Sequence, residues 1–426
     1  MSRSLLLGLL AYALLLTGII TVQGQFLALA LPLVVYLLVG YLQAPEDLKL
    51  EARRTLSVER TSPHQDVEVR VTVTNRGSGL EEVLLDDPVP PGLAVRSGFS
   101  RHMVRLAKGG SYAFAYTVAG PRGGYVFEPL EVQVSDHLAV SSSKVHVEAK
   151  GRLFVLPPVT RVRQVTIRPR RTRVYAGTIP ARAGGSGTEF FGVREYQPGD
   201  PPHSINWRAS ARYSDTLYAN EYQQERVADV GIVLDGRLRT NEFARGQSLF
   251  EFSVQAAASL ADALLSQGNR VGLLLYASYL GWTLTGYGKM QRERILHALA
   301  NAKVGDSQVF SDLEHIPTRL FPPESQIIFI SPLTEDDQKP LVQLRAQGYD
   351  VLVVSPNPVK FELSHLPSNA TVDLAGRVVR MERLLLIQRL ERAGIHVLDW
   401  DVQEPFDQLV KRKLGRSPAW LRAIGR

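Results

Sequence analysis

Hydrophobic and polar residues alternate in different ways along the chain, and the N-terminal pattern is the simplest. Residues 4–44 contain no charged side chain, and two apolar runs, Leu5–Val22 and Phe26–Leu42, are separated only by Gln23-Gly24-Gln25. A helix needs roughly 20 residues, and at least about 17, to cross the hydrocarbon core of a bilayer. The pattern therefore predicts a transmembrane helical hairpin over residues 1–46.

The charges that flank this segment predict its orientation. Arg3 precedes the first run, Lys49, Arg53 and Arg54 follow the second, and the turn carries no charge. Because cytoplasmic flanks are enriched in Lys and Arg, we expect a cell-membrane protein with two transmembrane helices and the bulk of the chain cytoplasmic. The alternative is a signal peptide cleaved near residues 22–24, which would leave one span.

Residues 47–159 show the pattern of short strands. Polar and apolar residues alternate with period two over Asp66–Asn75, and turns rich in Gly and Pro follow at Pro88–Gly92 and Gly120–Gly124. Half-buried strands that alternate in this way and are broken by turns are typical of antiparallel β-sandwiches. We predict an all-β, immunoglobulin-like sandwich over residues 47–159.

From residue 228 to residue 426 the patterns of strands and helices alternate. Val230–Asp235 is an apolar run that ends in an acid, Ser248–Gln267 has a helical pattern, and Gln326–Ser331 and Asp350–Ser355 are further short apolar runs. Repeated strand–helix units predict a parallel sheet with helices on both faces. The C-terminal region is therefore predicted to be an α/β, Rossmann-like domain.

Composition and charge exclude several kinds of chemistry. The chain of 426 residues contains no cysteine, so disulfides, thiol catalysis and thiolate metal sites are excluded. Its net charge of +7 is concentrated in a basic connector, since residues 149–188 hold nine Lys or Arg and no acid. Contact with anionic lipid headgroups and a solvated linker both remain open for this connector. Nucleic acid is not expected as a partner, because aromatic residues are sparse there.

The densest polar stretch lies in residues 160–227, which join the two predicted domains. It contains the motifs Arg194-Glu195-Tyr196, Pro198-Gly199-Asp200 and Trp207-Arg208-Ala-Ser210-Ala-Arg212. These motifs resemble the signature of the family called domain of unknown function 58. The N-terminal apolar segment, Arg122–Tyr125, Val134–Asp136 and Leu153–Pro157 resemble upstream parts of the same family.

Two roles are open for the signature residues. Arg–carboxylate pairs would fix the segment around Trp207 as a charge-paired network, which predicts a structural or partner-docking role for the signature. Paired carboxylates with a histidine could instead perform acid–base catalysis, and the alternative is a hydrolase or transferase centred on Glu195, Asp200 and His203.

The order of the C-terminal elements resembles a von Willebrand factor A domain, the known C-terminal part of this family. That fold usually binds Mg²⁺ through Asp-x-Ser-x-Ser, whereas this chain has Asp235-Gly-Arg237-Leu-Arg239 and places Pro332 where the family more often has an acid. One carboxylate beside two guanidinium groups is a poor Mg²⁺ site. We predict a degenerate site without metal or cofactor; alternatively, Asp235 binds a metal together with a partner's carboxylate.

The resemblance also implies a function. It favours a membrane-anchored, non-enzymatic scaffold or adaptor that docks protein partners through its von Willebrand factor A-like domain. Such families are associated with MoxR-type AAA+ ATPases, which are thought to assemble or remodel other complexes.

Overall fold

The computed structural model describes residues 3–42, 48–135, 142–162, 165, 172–212, 216–307 and 313–414. The chain divides into two units, unit 1 over Met1–Leu156 and unit 2 over Pro157–Arg426. The Arg-rich residues 168–171 of the predicted basic connector lie outside the described residues.

The N-terminal apolar runs form two helices, α1 over Arg3–Thr21 and α2 over Gly24–Leu42. Within the part of the chain that the structure describes, no helix is both long and apolar enough to cross a membrane. The predicted transmembrane hairpin is therefore wrong, and so are the two-span orientation and the cell-membrane localisation that depended on it. The prediction relied on apolar runs whose lengths are near the lower limit for a bilayer crossing, so a small loss of helical length was enough to overturn it.

The remainder of unit 1 consists of short strands. Their bounds are β1 Leu50–Leu56, β2 Arg60–Thr61, β3 Val67–Asn75, β4 Leu80–Asp86, β5 Ala94–Gly98, β6 Arg101–Leu106, β7 Ser111–Ala119, β8 Gly123–Val126, β9 Leu130–Ser135, β10 Ser142–Val147 and β11 Arg152–Val155. Two four-stranded antiparallel sheets have the orders β1-β3-β7-β5 and β10-β9-β4-β6, and β2-β11-β8 form a smaller sheet.

The two larger sheets share one hydrophobic core. On β3 the side chains of Val67, Val69, Val71 and Val73 are buried, while the residues between them are exposed or half-buried. They pack in one cluster with side chains of the other sheet, such as Leu85 of β4. This alternation follows from the period of a strand, in which successive side chains lie on opposite faces.

A buried charge pair, which the sequence pattern did not predict, lies within unit 1. Arg54 donates from Nε to Asp87 Oδ2 at 3.2 Å, and the Tyr116 hydroxyl donates to the same oxygen at 2.6 Å. Burial, followed by the negative charge of Asp87, raises the pKa of Tyr116 above its usual range. A buried ion pair is stable only when such additional hydrogen bonds compensate for the lost solvation.

Unit 2 alternates strands and helices. Their bounds are β12 Thr172–Glu195, α3 Trp207–Ser210, β13 Tyr218–Asp235, β14 Phe243–Ala244, β15 Gln247–Ser248, α4 Leu249–Ser266, β16 Arg270–Tyr276, β17 Leu280–Gly286, α5 Gly288–Asn301, β18 Gln326–Ile330, α6 Gln338–Ala346, β19 Asp350–Pro356, α7 Pro358–Leu363, α8 Ala370–Arg392, β20 His396–Trp400 and α9 Phe406–Lys413.

The main sheet of unit 2 has the order β17-β16-β13-β18-β19-β20. Its neighbouring strands are parallel except for β17, which runs antiparallel to β16. All five residues of β18 are buried, as expected for a strand that is covered on both faces. The carboxyl ends of β13 and β18 therefore lie side by side, and this edge of the sheet carries Asp235 and Ser331.

Strand β13 extends beyond the sheet and forms a ribbon with β12. Residues 229–235 pair with β16, whereas Tyr218–Ala228 pair with β12 in antiparallel register, from Glu195 opposite Tyr218 to Thr172 opposite Ala228. At about 3.3 Å per residue, the ribbon carries the chain roughly 33 Å from the amino end of the sheet. The signature motifs thus lie at the far end of a β-ribbon, which the sequence did not predict.

Candidate functional site

The signature loop, residues 196–212, follows β12 at the outer end of the ribbon, and an ion pair closes its first turn. Arg194 donates from Nη1 and Nη2 to the two carboxylate oxygens of Asp200, each at 2.7 Å. The Gln197 amide donates to Asp200 Oδ2 at 3.0 Å, and the Tyr196 hydroxyl donates to the Asp200 carbonyl at 2.9 Å. Gly199 accommodates the turn with φ +112°. The geometry is the bidentate arrangement that gives Arg–carboxylate pairs their directionality.

The electrostatics of this turn keep the ion pair intact at neutral pH. Hydrogen bonds from Arg194, followed by the Gln197 amide, hold the pKa of Asp200 below its usual range. A second carboxylate, that of Glu221, lies 3.8 Å from Arg194 Nε. Asp200 is therefore ionised and occupied by Arg194, which makes it a poor proton acceptor for catalysis.

The second half of the signature loop is fixed to β13 by Asn206 and Ser210. Asn206 Oδ1 caps helix α3 by accepting from the Ala209 amide at 2.9 Å, and its Nδ2 donates to Asn220 Oδ1 at 2.7 Å. Ser210 Oγ accepts from the Tyr218 amide at 2.9 Å. Asn206 and Asn220 were missed as site residues, although Asn directly before Trp-Arg-Ala-Ser is a recognisable helix cap.

Trp207 lies on the outside of this loop. Its side chain is 68% exposed, and Arg208 and Arg212 are also exposed. The charge pairing is therefore not centred on Trp207, because the ion pair that fixes the loop joins Arg194 to Asp200. The single turn of α3 directs Asn206 and Ser210 towards β13, and this leaves Trp207 and Arg208 on its solvent side.

The three residues of the catalytic alternative do not form a common centre. Glu195 and His203 are both exposed, and Asp200 is engaged by Arg194. Among the contacts of the described residues, no hydrogen bond joins any two of these three side chains. Nor do the described residues contain a group of three or more His, Asp or Glu that could hold a metal ion.

The Asp235 cluster, at the carboxyl end of β13, is the second predicted site, and its central carboxylate is saturated with hydrogen bonds. Asp235 is 0% exposed. Its Oδ1 accepts from the Arg237 amide at 3.0 Å and from Arg237 Nε at 2.9 Å. Its Oδ2 accepts from Arg237 Nη2 at 2.8 Å, Thr240 Oγ1 at 3.1 Å and Ser331 Oγ at 2.6 Å.

A second buried carboxylate completes the Asp235 cluster. Arg237 Nη2 also donates to Asp337 Oδ2 at 3.0 Å, so one guanidinium lies between two acids. Burial lowers the pKa of Arg237, but the hydrogen bonds and charges of Asp235 and Asp337 outweigh it and raise this pKa overall. Burial raises the pKa of Asp337, and the charge of Arg237 opposes this effect. Arg237 thus supplies the positive charge that a divalent cation would bring.

Among the contacts of the described residues, Arg239 and Pro332 make no hydrogen bond to Asp235. Arg239 Nη1 lies 3.4 Å from Asp336 Oδ2 near the surface. The Pro332 carbonyl accepts from Arg383 Nη1 at 2.8 Å. The prediction that two guanidinium groups adjoin Asp235 is therefore wrong for Arg239. Asp337 was missed because it belongs to the turn before α6, where it forms a capping box with Thr334.

Comparison with known families supports part of the resemblance drawn from the signature. Residues 192–382 match the model of the family described as Protein of unknown function DUF58. The resemblance is confirmed within these residues, which include the whole signature and the Asp235 cluster.

One curated relative is also similar to this chain. It is the uncharacterized protein YeaD of Bacillus subtilis (strain 168), which is 28% identical over 224 residues. The alignment covers 51% of this chain and 54% of the relative, so the chain spans about half the length of that protein.

Likenesses to solved structures are weak. A CARDB domain from Pyrococcus furiosus is 14% identical with a TM-score of 0.18, covering 26% of this chain and 90% of that one. Cwp6 from Clostridium difficile is 9% identical with a TM-score of 0.17, covering 70% of this chain and 36% of that one. Likenesses at these scores do not establish a shared fold.

Proposed function

We propose that this protein is a non-enzymatic scaffold or adaptor that binds a protein partner through the signature loop, with Trp207 at the centre of the contact. The observation that carries the proposal is the 68% exposure of Trp207 on a loop closed by the Arg194–Asp200 ion pair. Trp and Arg are enriched among the residues that dominate the binding energy of protein interfaces.

The rigidity of the loop favours binding. Ordering a mobile loop on association costs free energy, and a loop that is already fixed avoids most of that cost. Here the Arg194–Asp200 pair fixes the first turn, and Asn206 and Ser210 attach α3 to β13. Trp207 is therefore held in place before a partner arrives, although its ring is largely exposed to water.

The charge around Trp207 indicates the chemistry of the partner. Arg208 and Arg212 are exposed, and neither forms an ion pair with a described residue. Complementary charge accelerates association and selects among partners. The proposed partner surface therefore has an apolar pocket for the indole ring and carboxylates beside it.

The Asp235 cluster supports docking without a metal ion. Mg²⁺ requires an octahedral set of oxygen ligands, and both oxygens of Asp235 are already occupied by donors from the protein. A MoxR-type AAA+ ATPase is the partner class that the family resemblance suggests, and the main sheet of unit 2, which is parallel except at its β17 edge, is the feature that supports it.

Binding to the MoxR-type ATPase of the same organism tests this proposal. With the full chain, Trp207→Ala should weaken binding at least tenfold. Trp282→Ala is the matched control, because Trp282 on β17 is 60% exposed, and its substitution should leave binding unchanged. Equal affinities for the wild type and Trp207→Ala would refute the role of the loop.

A second experiment does not require the partner to be known in advance. A photo-crosslinking amino acid replaces Trp207 in one variant and Trp282 in another, and adducts formed in living cells are identified by mass spectrometry. A defined protein adduct is expected at position 207 and not at position 282. Absence of any adduct at position 207, or the same adducts at both positions, would contradict the proposal.

A further inference from the structure

Helix α8 has one buried face and one exposed apolar face. The buried face holds Gly376, Arg383, Leu386, Ile387 and Leu390. On the opposite side lies the apolar stripe, which consists of Leu374, 64% exposed, Val378, 53%, Met381, 67%, and Leu385, 48%. Large exposed apolar patches on proteins mark interaction surfaces, whereas single exposed residues need no explanation.

The spacing of the apolar stripe is that of a coiled-coil seam. Its members follow one another at steps of four, three and four residues. Apolar residues at alternating steps of four and three residues, as in a heptad repeat, keep one side of a helix facing a partner helix. At about 1.5 Å per residue, the stripe runs for roughly 17 Å along α8.

The charges beside the stripe indicate what covers it. Arg377 lies on one flank and Glu382 on the other, and both are exposed without an ion pair to a described residue. In a parallel pair of helices, a residue on the first flank meets the residue five positions later on the second flank of the other helix. Arg377 of one copy would then meet Glu382 of a second copy, and twofold symmetry would repeat the contact.

We propose that α8 pairs two copies of this chain as a parallel, in-register homodimer along the apolar stripe. Antiparallel pairing is disfavoured because it places the Arg377 flanks of both copies against each other. The stripe supplies only four seam positions, which is short for a coiled coil. The dimer is therefore reversible, and its population depends on protein concentration. This inference is independent of the proposed partner of the signature loop.

Sedimentation velocity of the full chain over a range of concentrations measures the dimer. Met381→Glu should raise the dimer dissociation constant at least tenfold. Met290→Glu is the matched control, because Met290 on α5 is 69% exposed, close to the 67% of Met381, and should have no effect. A chain that stays monomeric at all concentrations, or equal effects of both substitutions, would overturn the proposal.

A charge exchange tests whether the copies pair with each other in this orientation. Arg377→Glu and Glu382→Arg should each weaken the dimer several-fold, and the double variant should restore it, because the two charges then pair with reversed signs. Failure of the double variant to recover affinity would contradict the Arg377–Glu382 contact.

Because the chain has no cysteine, single thiols report the orientation without background. Leu374→Cys and Leu385→Cys lie at opposite ends of the stripe. With copper–phenanthroline as oxidant, each variant alone should form a disulfide-linked dimer. Crosslinking only in a mixture of the two variants would show antiparallel pairing, and crosslinking in neither would show that another occupant covers the stripe; both results overturn the proposal.

Discussion

Arg237 and Asp337 are 100 residues apart in the sequence, yet Arg237 Nη2 lies 2.9 Å from Asp337 Oδ1 in the structure. The contact joins the loop after β13 to the turn before α6. It adds a second acid to the carboxylate of Asp235, so that one buried guanidinium compensates two buried carboxylates. The carboxyl edge of the sheet is therefore held together by side-chain charge.

The first prediction concerns divalent cations. Millimolar Mg²⁺ or Mn²⁺ should leave the Tm of the wild-type chain unchanged, because Arg237 already occupies the carboxylates. Arg237→Ala should destabilise the protein by about 3–5 kcal/mol, since it leaves buried acids unpaired. In this variant Mg²⁺ should raise the Tm by mass action. Differential scanning calorimetry with and without the cation measures both effects.

A control for this prediction is available two residues further along the chain. Arg239 is near the surface and pairs with Asp336 at 3.4 Å. Arg239→Ala should change stability by no more than about 0.5 kcal/mol, as is usual for exposed ion pairs. A concentration-dependent rise in the wild-type Tm that Asp235→Ala abolishes would show that the site binds metal.

The second prediction compares two tryptophans. Trp400 is 2% exposed, so Trp400→Ala should cost about 3–5 kcal/mol, as expected for truncation of a buried aromatic side chain. Trp207 is 68% exposed, so Trp207→Ala should change the free energy of unfolding by only about 0.5 kcal/mol. Urea denaturation measures both values. A large cost for Trp207→Ala would mean that its ring is packed in solution.

The third prediction concerns the pH dependence of the signature loop. Since Arg194 lowers the pKa of Asp200, this pair stabilises the folded loop above the ordinary Asp pKa. That contribution is lost as the pH falls through the lowered pKa, so the loop should stay ordered at pH values near 4 and loosen below them.

Hydrogen exchange tests this prediction at two amides that depend on the loop. The Tyr196 amide donates to the Leu217 carbonyl at 2.7 Å, and the Asn206 amide donates to the Tyr218 carbonyl at 2.8 Å. Their protection factors should fall in the acid range. Asp200→Asn should reduce protection already at neutral pH and remove the transition; unchanged protection in that variant would contradict the role of the ion pair.

The fourth prediction concerns the buried pair in unit 1. Asp87→Asn leaves the Arg54 cation buried without a counter-charge and should cost about 3–5 kcal/mol. Tyr116→Phe removes one hydrogen bond to a charged acceptor and should cost about 1.5–3 kcal/mol.

Two features of the chain make this measurement specific. The four tryptophans all follow residue 156, so far-UV circular dichroism reports the loss of β structure while tryptophan fluorescence reports unit 2. Asp86→Asn is the control, because Asp86 pairs with Arg101, whose side chain is 66% exposed. Similar losses for Asp86→Asn and Asp87→Asn would contradict the assigned role of the buried pair.

Local patterns in the sequence predicted individual elements well. The period-two pattern over Asp66–Asn75 corresponds to β3 at Val67–Asn75, and the helical pattern over Ser248–Gln267 corresponds to α4 at Leu249–Ser266. Both elements are defined by side chains within a few residues of one another, which is the range over which periodicity carries information.

Features that depend on distant residues could not be predicted. The β12–β13 ribbon requires pairing between residues on either side of the signature loop, and the Gly-rich residues 183–187 conceal the strand pattern. Asp337 reaches Arg237 only through the fold of the sheet. The exposure of Trp207 depends on which side of one helical turn faces β13, and composition alone does not determine that side.

The continuity of β13 has a mechanical consequence. The strand runs without a break from Tyr218, beside the signature loop, to Asp235, in the buried cluster. At about 3.3 Å per residue, the extended backbone between these two residues is roughly 56 Å long. A force that pulls the loop along the strand axis would meet an already extended strand. It would act in shear on all the hydrogen bonds that join β13 to β16 and β18 at the same time. A partner that pulls on Trp207 would therefore exert force on the central strands of the main sheet.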